Sequence, residues 1–242
     1  MTLTLKRSYK SYGIPVSSGS DKVDYSNTAG LGIAVVISYL LIIFYSLFTA
    51  WKRLGNIGSS VLSKGKNSFT ISQSIYYSEK TVTVMMSILF GVLCVYMLYR
   101  KNFIQADFDR LIVVIPLLIL PLIFIIFLYI GPNQSLHYPL AASIFIGGTI
   151  IQYFILELYN EYFENDQVLK TYQSLVMTMI IFAILITICL MFSFYTMHKP
   201  KMFHKKIVRF LSDILALSEY VHLILYGILL YMFSTFAALP SV

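Results

Sequence analysis

The sequence predicts an all-α, polytopic membrane protein, a bundle of six transmembrane helices. Three observations carry that expectation. Six stretches are each close to the roughly 20 apolar residues that a helix needs to cross hydrocarbon. Hydrophobic residues make up 58% of the 242 and charged ones only 12%, with mean hydropathy +0.76, more apolar surface than a water-soluble domain can hide. The Lys and Arg residues behind the net charge of +7 lie in the N-terminal stretch and beside apolar runs. That placement suits lipid headgroups and excludes a nucleic-acid partner.

The elements follow in order. Residues 1–28 form a polar tail of mixed charge (Lys6, Arg7, Lys10, Asp21, Lys22, Asp24) without the profile of a cleavable signal peptide. The first apolar run is therefore the expected targeting signal, and residues 29–242 the membrane domain. Its spans are expected near 29–51, 82–99, 111–130, 138–156, 174–195 and 210–236. The longest connection, about 53–81, separates the first two. The third span carries Pro116 and Pro121, kinks that a bundle tolerates. The fourth carries Gly147 and Gly148, small enough for close helix approach. A tight "GPNQSLH" precedes it, an acidic "NEYFENDQVLK" follows it, and a basic "HKPKMFHKKIVR" joins spans five and six. Asn133 fits a glycosylation pattern, but its loop is too tight for modification. Cys94 and Cys189 fall inside apolar runs, which argues against a loop disulfide or a thiolate zinc site.

Six spans place both termini on one side and the odd-numbered loops on the other. Glu79 before span two, His137 before span four, Tyr195 and His198 at the end of span five, and Asp213 and Glu219 early in span six then share a membrane face. Within span six, Ser212, Glu219, His222 and Tyr226 recur at spacings of seven, three and four, a single helical stripe expected to face the bundle interior or a wet cavity. Glu219 and His222, three apart, are close enough to share a proton or a hydrogen bond. Two histidines and two carboxylates at one face suit acid–base work or a zinc-like metal, and their spacing specifies neither. The chain has no nucleophile elbow, P-loop, dinucleotide fingerprint or HExxH, and the cofactor is left open. The balance of Lys and Arg leans slightly towards termini outside the cytosol.

Four segments resemble the six-span Frag/DRAM/Sfk superfamily. "FTISQSIYYSEKTV" is similar to a hydrophobic–Ser pair followed by Glu, here Ile71, Ser72 and Glu79. "SLHYPLAASIFIGG" matches a His followed by small and aromatic residues, selecting His137. "FYTMHK" resembles a Tyr-x-x-His of the branch that remodels glycosylphosphatidylinositol (GPI) anchors, here Tyr195 and His198. "ILALSEYVHLILYG" resembles a small-x-x-Glu-aromatic motif, selecting Ala216, Glu219 and Tyr220. The similarity covers about residues 30–236. Gln73 and Tyr77-Ser78 depart from the DRAM branch and favour the Frag-like one.

The resemblance implies a Golgi or endoplasmic-reticulum protein that remodels the lipid of GPI anchors, with acyl transfer at the lumenal leaflet as the candidate reaction. It implies cytosolic termini, against the slight lean of the charges, and we adopt that orientation. His137, His198, Glu79 and Glu219 are then the candidate catalytic groups. Ser72, Tyr195, Tyr220 and His222 are the candidate substrate contacts. Membrane lipids and GPI-anchored proteins are the expected partners. The alternatives are a non-enzymatic adaptor or lipid-organising protein of the DRAM/Sfk type, in a lysosomal or plasma membrane, and, ranked last, a channel or transporter.

Overall fold

A backbone surrounded by hydrocarbon must satisfy its N–H and C=O groups internally, and the apolar runs do so as helices. The computed structural model describes residues 25–54, 71–104, 108–130, 135–163, 167–198, 205–236 and 238–239. They form α1 (Tyr25–Leu54), α2 (Ile71–Tyr77), α3 (Lys80–Arg100), α4 (Phe108–Phe127), α5 (His137–Tyr162), α6 (Gln167–His198) and α7 (Lys205–Thr235). All but α2 are long and apolar enough to cross a membrane, and the protein is an integral, multi-pass membrane protein.

Several expected boundaries move. Helix α1 begins at Tyr25, inside the stretch read as tail, and α4 stops at Phe127, short of 130. Helix α5 runs on to Tyr162 and α6 starts at Gln167, so most of the acidic "loop" is helical. The polar residues there cost little because helices of 26 and 32 residues, α5 and α6, are about 39–48 Å long and outrun a hydrocarbon core of about 30 Å. The connection between the first two spans contains α2, a helix too short for hydropathy to reveal.

The six long helices close into a ring in which each touches its neighbours in the order α1, α3, α4, α5, α6, α7 and back to α1, with α5 also meeting α7 across it. Helix α2 touches α1, α4 and α7. Polarity is inverted relative to a soluble protein. On α3 the exposed face is Met85, Ile88, Leu89, Val92, Val95 and Tyr99, while Thr83, Ser87 and Cys94 are buried. On α7, Leu217, Ile224 and Ile228 face outward, while Ser212, Ser218, Glu219 and His222 face inward. Lipid solvates the first set, and only the interior offers partners to the second.

Small residues set the helix spacing. A Cβ on Gly32 of α1 would lie 1.7 Å from Ser234 Oγ and 2.5 Å from Ser234 Cβ of α7. Of the glycine pair in α5, only Gly148 works this way: its Cβ would meet the Tyr226 ring at 3.2 Å, whereas Gly147 has open space. Gly91 of α3 receives the Pro121 ring of α4, so this proline packs at an interhelical contact inside a helix that runs through it.

At the end away from α2, the turn after α3 clasps the C-terminal segment. Asn102 takes a left-handed φ of 58°, a conformation in which asparagine commonly ends a helix. Lys101 Nζ donates to Phe236 O, Leu239 N donates to Lys101 O at 3.1 Å, and Asn102 Nδ2 donates to Leu239 O at 2.8 Å. Buried Arg110 donates to Asn102 O at 2.5 Å and lies over the Tyr162 ring. Burial, reinforced by neighbouring Arg100, lowers the Lys101 ammonium to about 8.

Gly32→Ala is expected to push α1 from α7 and destabilise the fold by about 1–3 kcal/mol, as overpacking does; Ser234→Gly should restore much of the loss in thermal unfolding of the double variant. Lys101 gives a pH signature. Its folded value lies below its ordinary 10.5, so the penalty for burying the cation is complete below pH 8 and fades as pH rises towards 10.5. The thermal midpoint of the wild type should therefore rise relative to that of Lys101→Met between pH 7.5 and 10. Parallel pH profiles would contradict this account.

Candidate functional site

Glu219 is the acid whose position in an apolar span asks most for a reason. It is fully buried, and its Oε2 accepts the backbone N–H of Ile71, the first residue of α2, at 2.8 Å. A helix start leaves backbone donors without intrahelical partners, and a carboxylate is a strong acceptor for one of them. The acid takes up one donor of this buried helix start. Helix α2 is itself held inside, with Ile71, Ser74 and Ile75 buried, as is Ser78 just after it. Ser74 and Ser78 hydroxyls return to the carbonyls of Ile71 and Ile75, and Ser78 Oγ lies 3.0 Å from Thr83 Oγ1 of α3.

Glu79 does the same work one element later. With extended backbone, it caps α3, accepting from Thr81 N at 3.2 Å and Val82 N at 2.7 Å. Glu79 and Glu219, the two candidate catalytic acids, therefore both support helix starts at the same end of the bundle. His137, at the start of α5, is 3% exposed, with its ring edge-on to Phe127 at 5.1 Å and Nδ1 3.4 Å from Ile130 O. Lys80 Nζ lies 4.6 Å over the Tyr129 ring beside this corner. The described bonds of Glu79, His137 and Glu219 thus run to three different backbone segments.

The remaining candidates scatter. Tyr195 is exposed near the end of α6 and Tyr220 is half-buried beside Glu219. His198 ends α6 and Ser72 lies in α2, and their side chains fall outside the described residues. His222 does not pair with Glu219 as the spacing allowed. Its Nε2 lies 2.9 Å from Thr149 Oγ1 of α5, with the Phe145 ring edge-on at 5.1 Å. Phe145 and Thr149, one turn apart on α5, offer the ring a better-placed partner than its own helix does. Among the described residues, no three His, Cys, Asp or Glu side chains gather as a metal site would need.

Sequence reading missed two features. One is a buried polar layer, in which the Tyr172 hydroxyl of α6 donates to Gln152 Oε1 of α5 and Tyr226 lies beside the same carboxamide. Gln152 in a membrane span was a signal for it. The other is an apolar groove of about 470 Å³ between α5 and α6, near the middle of both. Ile146, Ile150, Tyr153, Ile184 and Ile188 line it and are exposed, so it opens to the surrounding lipid. Thr149 lies in its wall. Its volume falls within the roughly 300–1,000 Å³ typical of ligand pockets. Neighbours on two separate helices build it, so no linear motif announces it.

No protein-family model matches the chain, and neither curated proteins nor solved structures give a match.

Glu219→Ala should leave the Ile71 N–H buried without its acceptor, costing about 1–3 kcal/mol and exposing the segment around α2 to proteolysis. Glu219→Gln, which keeps an oxygen there, should lose much less. Equal losses in the two variants, read by thermal unfolding in detergent, would refute the capping role.

Proposed function

We propose that this chain is a lipid-handling membrane protein of the secretory pathway, in the Golgi or endoplasmic reticulum, that takes part in remodelling the lipid of GPI anchors. The observation that carries the reading is the groove between α5 and α6. At mid-depth in a bilayer only hydrocarbon is at hand to fill it, and its wall of Ile side chains suits an acyl chain. The substrate class comes from the resemblance of the segments around Ser72, His137, Tyr195, His198 and Glu219 to the Frag-like branch. In that orientation the termini are cytosolic, and the end of the bundle bearing α2, Glu79 and His137 is lumenal.

A second reading, a non-enzymatic lipid-organising protein or adaptor, is favoured by a specific observation: Glu79 and Glu219 are engaged in capping α3 and α2. Acids so engaged act as positioning residues, leaving His137 and His198 as the groups for acid–base work in acyl transfer.

Ile150→Trp and Ile184→Trp fill the groove from its exposed side without entering the core. In cells lacking the native protein, these variants should reach the membrane at normal levels yet leave GPI-anchor lipid unremodelled. Normal remodelling by both would defeat the proposal. In the same assay, loss of remodelling in His137→Ala or His198→Ala supports catalysis. Normal lipid in both, together with Glu79→Gln and Glu219→Gln, assigns the non-enzymatic role.

A further inference from the structure

Helices α1, α4, α5 and α7 enclose a small cavity of about 10 Å³ between Tyr39, Phe124, Gly148, His222, Leu223 and Tyr226. This is about the space that one water molecule needs. Three polar atoms of its lining residues have no hydrogen-bond partner: Tyr39 Oη, Tyr226 Oη and His222 Nδ1. Their side chains are 0%, 2% and 1% exposed, and they lie at a depth where neither bulk water nor lipid offers a partner.

The surrounding bonds determine what each atom needs. The single Thr149 hydroxyl hydrogen is directed to Phe145 O at 2.8 Å. Towards His222 Nε2, 2.9 Å away, the Thr149 oxygen is then the acceptor. Nε2 therefore carries the imidazole hydrogen, and Nδ1 of the neutral ring presents a lone pair that needs a donor. Tyr39 and Tyr226, their rings 5.5 Å apart, need acceptors for their O–H groups. Gln152 turns Nε2, itself without an acceptor, towards Tyr226, and a donor cannot accept the Tyr226 O–H, while its Oε1 takes the Tyr172 hydroxyl. Gly148 keeps Tyr226 in place, since any larger residue would press a Cβ to within 3.2 Å of its ring.

We propose that this cavity binds one water molecule, which accepts the Tyr39 and Tyr226 hydroxyls and donates to His222 Nδ1. Two acceptances and one donation make three hydrogen bonds, the usual number for a buried water. The water joins α1 to α7, and through the His222–Thr149 pair it extends to α5, whose other side forms the wall of the apolar groove. It adds a polar link to the layer that Tyr172–Gln152 and His222–Thr149 already form inside the bundle.

The test uses the full chain in lipid nanodiscs, with Tyr39→Phe, Tyr226→Phe and the double variant. With water bound, each substitution removes one of its partners. Each should lower the thermal midpoint by about 2–4 °C, as loss of one hydrogen bond does at this chain length, and the double variant should lose less than the sum. A dry cavity gives the opposite sign, because deleting a buried hydroxyl with no partner is neutral or stabilising. Unchanged or raised midpoints, or strictly additive losses, overturn the proposal. An independent readout is the side-chain ¹⁵N spectrum of His222, assigned by its disappearance in His222→Gln. It should show a proton on Nε2 and a hydrogen-bonded, unprotonated Nδ1 whose signal shifts in Tyr39→Phe; a proton on Nδ1 would overturn the assignment.

Discussion

The bond between Glu219 and the Ile71 N–H is the constraint around which one end of this bundle is organised. A carboxylate in a membrane span and a helix start buried among helices are each costly alone. Brought together, each offsets part of the other's cost, and the pairing holds a segment 148 residues away in the chain against α7. Helix α2 is thereby set among α1, α4 and α7. The turn after it delivers Glu79 to cap α3, so two acids in succession direct the chain back into the membrane.

The rest of the bundle follows from a medium that makes apolar surface cheap. Outward faces carry Ile, Leu, Met and Phe because hydrocarbon solvates them. With little hydrophobic drive between helices, association depends on close packing and on polar groups that find partners inside. Gly32 against Ser234 and Gly148 against Tyr226 supply the first. Tyr172 with Gln152 and His222 with Thr149 supply the second. At the opposite end, Lys101, Asn102 and Arg110 bind the turn after α3 to the C-terminal segment. The ring is thus fastened at both ends by polar contacts and between them by the Gly148–Tyr226 packing and the Tyr172–Gln152 and His222–Thr149 contacts.

The capping acids and the groove occupy different parts of the bundle. The acids at the α2 end carry helix starts, while the groove between α5 and α6 lies deeper and is lined by apolar side chains. Thr149 connects the two environments, with one face on the groove and its hydroxyl on His222. An acyl chain in the groove would lie one side chain away from the polar centre of the bundle.

The sequence by itself determined the class and the number of spans, because apolar length is a local property that hydrocarbon thickness reads directly. It also singled out Glu219, because an isolated charge among apolar neighbours is visible without knowing what it meets. The inward stripe of Ser212, Glu219, His222 and Tyr226 was legible for the same reason, being written in the 3.6-residue period of one helix. Only the tertiary structure decided the partners. That Glu219 meets Ile71, that His222 turns to Thr149 in place of Glu219, and that α5 and α6 part to form a groove all depend on contacts between segments far apart in the chain. Hydropathy and spacing say which face of a helix is unusual; which other helix answers it is settled by packing in three dimensions.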